Sequence, residues 1–125
     1  MDAVELAGHL RSSLTSALGT GHGLRLIRQF IADVERSPAP ADLLGKRPPS
    51  CGDRRWDALV AGVIEDLAFR LGIPVPAWTA DASYLLSEWW FVTSIPDMRP
   101  TAFVETPAAI ANRGVYIRRS SLVNV

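Results

Sequence analysis

Gly19-Thr20-Gly21-His22-Gly23 has the small residues of a loop that cradles phosphate. In such loops glycines let backbone N–H groups approach a pyrophosphate at a helix N-terminus. The dinucleotide fingerprint needs a preceding strand and G-x-G-x-x-G spacing, whereas here the spacing is G-x-G-x-G, a helical pattern precedes it and no Gly-Lys-Ser/Thr follows. The stretch reads as a flexible helix-helix turn. His9 and His22 lie in no G-x-S-x-G or H-E-x-x-H context, and two distant histidines among scattered carboxylates offer no metal-ligand spacing. Glu65 and Asp66 are adjacent on a helical pattern, where neighbours do not face one another, so they read as a solvated face. Cys51 is the only cysteine, which excludes an intrachain disulfide and a Cys-based zinc site. No catalytic, metal or cofactor residue is assigned, and the expectation is a protein that is not an enzyme.

Trp89-Trp90-Phe91 is different in kind. Adjacent residues point to different sides of a helix or a strand, so one core face does not easily take both Trp rings. At least one then lies near the surface, where Trp supplies a large contact area with few rotatable bonds. The alternative is two small core faces, one toward the central helix and one toward the Pro-rich segment. Arg113, Arg118 and Arg119 surround Tyr116 near the end of the sequence and suit a polar partner surface or a nucleic-acid phosphate, against simple solvation as the usual outcome for such a cluster. Trp89, Trp90, Arg118 and Arg119 are the expected partner-binding residues.

The element that must position them is Asp53–Gly72. Asp53 stands at a helix N-cap, and Trp56, Leu59, Val60, Val63, Leu67 and Leu71 recur at three-and-four spacing. Gly72 followed by Ile73-Pro74 ends the helix. Before it, Ala3, Ala7, Leu10, Leu14 and Ala17 form one narrow stripe, and Leu24, Ile27, Ile31 and Val34, widened by Phe30, form another. These predict helices near 3–18, 23–36 and 54–71. The expected core sets Trp56, Val60, Val63, Leu67 and Leu71 against Leu10, Leu14, Ile27 and Ile31. Beyond Gly72, Ile73-Pro74-Val75-Pro76 predicts an extended path. Asp81 caps a short helix through Leu86, Thr106-Pro107 starts a two-turn helix over 107–113 closed by Gly114, and Val115-Tyr116-Ile117 suits a short strand.

The fold class expected is mainly all-α: an N-terminal helical hairpin packed on a central helix, then short helices and extended Pro-rich segments. A chain of 125 residues suits a single domain over 1–125, with the hairpin at 2–36, a linker at 37–52 and the core helix and C-terminal region at 53–125. Thirteen basic residues balance thirteen acidic ones, which disfavours nucleic acid as the main partner. The sequence begins with acid instead of the basic region of a secretory signal, and nowhere do about 18 apolar residues run uninterrupted. The expectation is a cytoplasmic protein with no membrane span.

Gly52-Asp53-Arg54-Arg55-Trp56-Asp57-Ala58-Leu59, Ile73-Pro74-Val75-Pro76-Ala77-Trp78, Trp89-Trp90-Phe91, Thr106-Pro107-Ala108-Ala109, Arg113-Gly114-Val115-Tyr116-Ile117 and Leu122-Val123-Asn124-Val125 together carry a family resemblance. The chain resembles an uncharacterised bacterial family of actinobacterial type that also occurs as the C-terminal region of helix-turn-helix antitoxin-like regulators. The resemblance covers roughly the last 75 residues. It implies an antitoxin-like component of a toxin-antitoxin system, with a nucleotidyltransferase-like toxin as its protein partner, and implies no catalytic residues. The chain departs from those regulators in having no recognisable helix-turn-helix before the shared region. Two alternatives are a structural or regulatory domain that self-associates as a homo-oligomer through its N-terminal hairpin, and a small enzyme whose site the sequence does not reveal.

Overall fold

The computed structural model describes residues 1–16, 18–93 and 95–123. Its long elements are α1 (Ala3–Leu14), α2 (Gly19–Arg36) and α4 (Arg54–Leu71), with a short α3 (Pro40–Leu44) between the last two. Smaller pieces follow: β1 (Trp90–Phe91), α5 (Arg99–Glu105), α6 (Ala108–Ala111) and β2 (Val115–Tyr116), with 3₁₀ turns between them. The fold is mainly α, as the periodicity predicts. No described helix is long and apolar enough to cross a membrane.

Central to the packing is α4. Asp53 accepts the backbone N–H of Arg55 as N-cap, and Gly72 takes the left-handed conformation at φ 68° that ends the helix. Trp56, Leu59, Val60, Val63 and Leu67 are buried, and so are Ala58, Ala61, Ile64 and Ala68 on its other faces. The helix is therefore covered on more sides than a one-face stripe implies. Leu71 departs from expectation: at the very end of α4, it is 37% exposed. Ile27 and Ile31 of α2 and Leu10 of α1 are buried in the same core, and Leu14 is half-buried against it. The hairpin's stripes are thus consumed inside the chain, with Leu6 added to the residues of α1 that the spacing picks out. Ala17 lies outside the described residues.

The Gly-rich segment is not a loop. The turn includes Thr15, Ser16 and Leu18, and α2 begins at Gly19, whose φ is +73°. Ser13 and His22 hold the join, Oγ to Nδ1 at 2.9 Å. Gly23 is needed for space, since a Cβ there would sit 2.8 Å from the Trp56 ring. α1 starts in a reciprocal capping box between Asp2 and Glu5.

Past Gly72 the chain is extended through Pro76 and then makes 3₁₀ turns at Ala77–Ala80 and Ala82–Tyr84, the second capped by Asp81. Trp78 donates its indole N–H to the Leu44 carbonyl at 3.1 Å, which ties this stretch to α3. β1 and β2 pair in parallel, with Trp90 opposite Val115 and Phe91 opposite Tyr116. Thr106 does not cap α6. Its hydroxyl donates to the Ala102 carbonyl and accepts from the Ile117 N–H, so the helix starts at Ala108 and is shorter than the Thr-Pro signal predicts.

Candidate functional site

Strand alternation separates the two adjacent Trp rings. Trp90 turns inward and meets Trp56 edge-on, centroids 5.4 Å apart, with the Arg55 guanidinium 5.1 Å from its ring centroid. Trp89 turns outward and is 66% exposed. It is nonetheless held: its ring stands edge-on to Tyr116 at 5.4 Å and lies 6.2 Å from Phe103. Tyr116 stacks on Phe91 at 5.1 Å and on Phe103 at 5.2 Å, and Arg99 lies over Phe91 at 5.4 Å. The result is an aromatic face built by β1, β2 and α5. Ile95, Phe103 and Val104 are also exposed, at 54%, 53% and 81%.

Around that face the arginines divide. Trp89 and Trp90 share a cleft of about 300 Å³ with Arg54, Arg55, Leu86 and Glu88. Arg119 is exposed and lines a different cleft, beside Glu35, Asp66 and Arg70, with no residue in common with the first. Its backbone N–H donates to Glu105 at 3.2 Å. Arg118 is half-buried, and its Nε is buried with no hydrogen-bond partner among the described residues. Arg113 is not solvated at all. It is 6% exposed, and its guanidinium meets the Glu65 carboxylate and the Thr79 and Ala109 carbonyls. Glu65 is correspondingly a partner of a buried cation and not simply a solvated acid.

Phe103, Tyr116, Arg54, Arg55 and Arg99 complete the face, and sequence reasoning did not select them for it. Phe103-Val104 carries a usable signal: two adjacent large apolar residues on a seven-residue helix do not easily share one inward face. The tertiary placement of Arg99 over Phe91 has no local signal.

The groups with reactive chemistry are committed elsewhere. Cys51 is buried, and burial together with the neighbouring Asp57 pushes its thiol up to about 12, so it is protonated at neutral pH and is not a nucleophile. Asp57 accepts the Ser50 hydroxyl at 2.6 Å and the Cys51 N–H at 2.9 Å. They line a cleft of about 350 Å³ with Arg47, Trp78 and Tyr84. Beside Arg47 the Asp81 carboxyl is held down to about 2 by the Ser83 backbone N–H and hydroxyl and by the Arg47 guanidinium, which lies 3.1 Å away. Ser13, the hydroxyl beside His22, is only 2% exposed, and His9 is exposed on α1. Among the described residues no group of three His, Cys, Asp or Glu is placed to hold a metal ion.

Comparison of the chain with family models, curated proteins and solved structures finds no match.

Proposed function

We propose that this chain is a non-enzymatic protein-interaction module that works by stoichiometric binding through the aromatic face around Trp89. The observation that carries the reading is Trp89 itself, two-thirds exposed yet braced by Tyr116 and Phe103. A ring fixed before binding loses little rotamer freedom on contact, which is why such anchors dominate interface energetics. Trp90 supports the face from behind. Arg119 contributes from the separate cleft beside Glu35 and Asp66, and Arg118 from the half-buried position next to it. The balanced formal charge favours a protein partner over nucleic acid.

The particular form we favour is an antitoxin-like role in the cytoplasm, with a nucleotidyltransferase-like toxin as partner. The experiment is co-purification with the product of the adjacent gene, followed by titration of Trp89→Ala. The variant should weaken the complex by about 2 kcal/mol, roughly thirtyfold, while losing less than about 1 kcal/mol of folding stability. No complex, or one indifferent to Trp89→Ala, defeats the proposal.

A further inference from the structure

The cleft of about 350 Å³ that holds Cys51 and Asp57 falls at the lower end of the size range of small-molecule sites. Three of its lining residues, Ala7 of α1, Cys51 and Val60 of α4, belong to the buried core, so it reaches inward between the two helices. Trp78 and Tyr84, edge-on to each other at 5.8 Å, and the Pro48-Pro49 pair give it rigid apolar walls. Of its lining residues, only Arg54 also lines the cleft beside Trp89.

The charges at this cleft are matched with one exception. Arg47 pairs with Asp81 at 3.1 Å and lies over the Tyr84 ring at 5.2 Å. Both Asp57 oxygens accept hydrogen bonds, from the Ser50 hydroxyl and the Cys51 N–H. Arg11 reaches the rim and donates to the Ser50 carbonyl at 3.0 Å. Asp53 is answered by Arg55 at 3.2 Å. Arg54 is exposed and takes part in no ion pair among the described residues. Arg11, Arg47 and Arg54 thus stand against Asp57 and Asp81, which leaves a single positive charge uncompensated.

We propose that this cleft binds a small aromatic carboxylic acid, its ring against the Trp78, Tyr84 and proline walls and its carboxylate on Arg54. A monoanion matches the one uncompensated charge, and the planar guanidinium fork suits a carboxylate. A phosphate dianion would face the Asp57 carboxylate with no second free cation, and a cationic ligand would face three guanidinium groups. Ring-on-ring contact adds to plain area burial, and a ring, unlike a flexible chain of the same volume, loses no rotamer freedom on entering. The site is separate from the Trp89 face and does not depend on the protein-binding reading.

The test is an NMR titration of the full chain with phenylacetate, beside 2-phenylethanol, which lacks the charge, cyclohexylacetate, which lacks the aromatic ring, and inorganic phosphate. Phenylacetate should give saturable shifts at the Ser50, Cys51, Asp57 and Tyr84 amides with a Kd of about 1 mM or below. The neutral and saturated analogues should bind at least about fivefold more weakly, and phosphate should leave those amides unmoved. Arg54→Gln should raise the Kd for phenylacetate at least about tenfold, and its exposed position keeps the variant folded. Trp89→Ala should leave the Kd unchanged. No saturable shift up to about 10 mM overturns the proposal, and so does a Kd indifferent to Arg54→Gln. Shifts centred on Ser87, Trp89 and Trp90 overturn it too, since they place the acid in the other cleft that Arg54 lines. Equal binding of cyclohexylacetate or of phosphate overturns the ligand class.

Discussion

Arg113 and Glu65, 48 residues apart, form an ion pair that fastens the C-terminal segments to α4. The same guanidinium donates to the Thr79 carbonyl at 2.7 Å and the Ala109 carbonyl at 2.6 Å, so one buried side chain joins α4, a 3₁₀ turn and α6. Removing it leaves a carboxylate and two carbonyls without their donor. Arg113→Met should cost about 3 kcal/mol in urea unfolding. Glu65→Gln should cost only about 1 kcal/mol, because the amide oxygen still accepts and Glu65 is partly solvated. Equal costs would show that the ion pair matters and the carbonyl contacts do not.

Leu67 is fully buried at the centre of α4. Leu67→Ala should destabilise by about 2–5 kcal/mol, the lost transfer energy plus the residual cavity. A cost under about 0.5 kcal/mol, typical of surface positions, would mean the helix faces another way.

The two Trp residues should separate cleanly on mutation. Trp90 is half-buried against Trp56, so Trp90→Ala should cost about 2 kcal/mol, whereas Trp89→Ala should cost less than about 1 kcal/mol. Thermal and urea unfolding of both variants provide the check, and a larger loss at Trp89 would make it a folding residue.

Gly21 and Gly23 stand two positions apart on the same turn of α2 with opposite expectations. A Cβ at Gly21 meets nothing within 4 Å, so Gly21→Ala should gain about 0.5 kcal/mol. At Gly23 the Cβ would press on the Trp56 ring, and Gly23→Ala should lose about 1–2 kcal/mol. Matching signs in chemical denaturation would contradict the packing.

Cys51 should resist a disulfide reagent in the native protein at about pH 8 and react with one equivalent in denaturant. Its thiol holds its proton more tightly folded than unfolded. The associated stability is complete below the unfolded value, near 8.5, and is lost as pH rises toward 12. Asp81 runs the other way: its depressed value gives a contribution present above about 4 that disappears as pH falls through 2. Rapid labelling of the native thiol would count against its burial.

The long helices were readable because their signals are local. Asp53, the apolar spacing and Gly72 act within a few residues of one another, and the backbone obeys all three. Gly19–Gly23 misled because glycine composition reports permitted conformations, whereas contact with Trp56 selects the helical one. Thr106-Pro107 misled similarly, since a hydroxyl that fits an N-cap also fits the Ile117 backbone. Half of the candidate site was legible. The opposed directions of Trp89 and Trp90 follow from strand or helix geometry alone, but Arg113, Tyr116 and Arg99 take their places through partners the spacing does not reveal.

The parallel pairing of β1 with β2 also constrains how the chain acquires its shape. Parallel neighbours cannot be closed by a tight hairpin, so residues 92–114, including α5 and α6, must traverse the molecule before Trp90 meets Val115. Contacts of such sequence separation are slow to form, while the α1–α2 hairpin closes locally. Tryptophan fluorescence should accordingly follow the slower, sequence-distant contacts, those of Trp56 with Gly23 and of Trp89 and Trp90 with Tyr116 and Trp56.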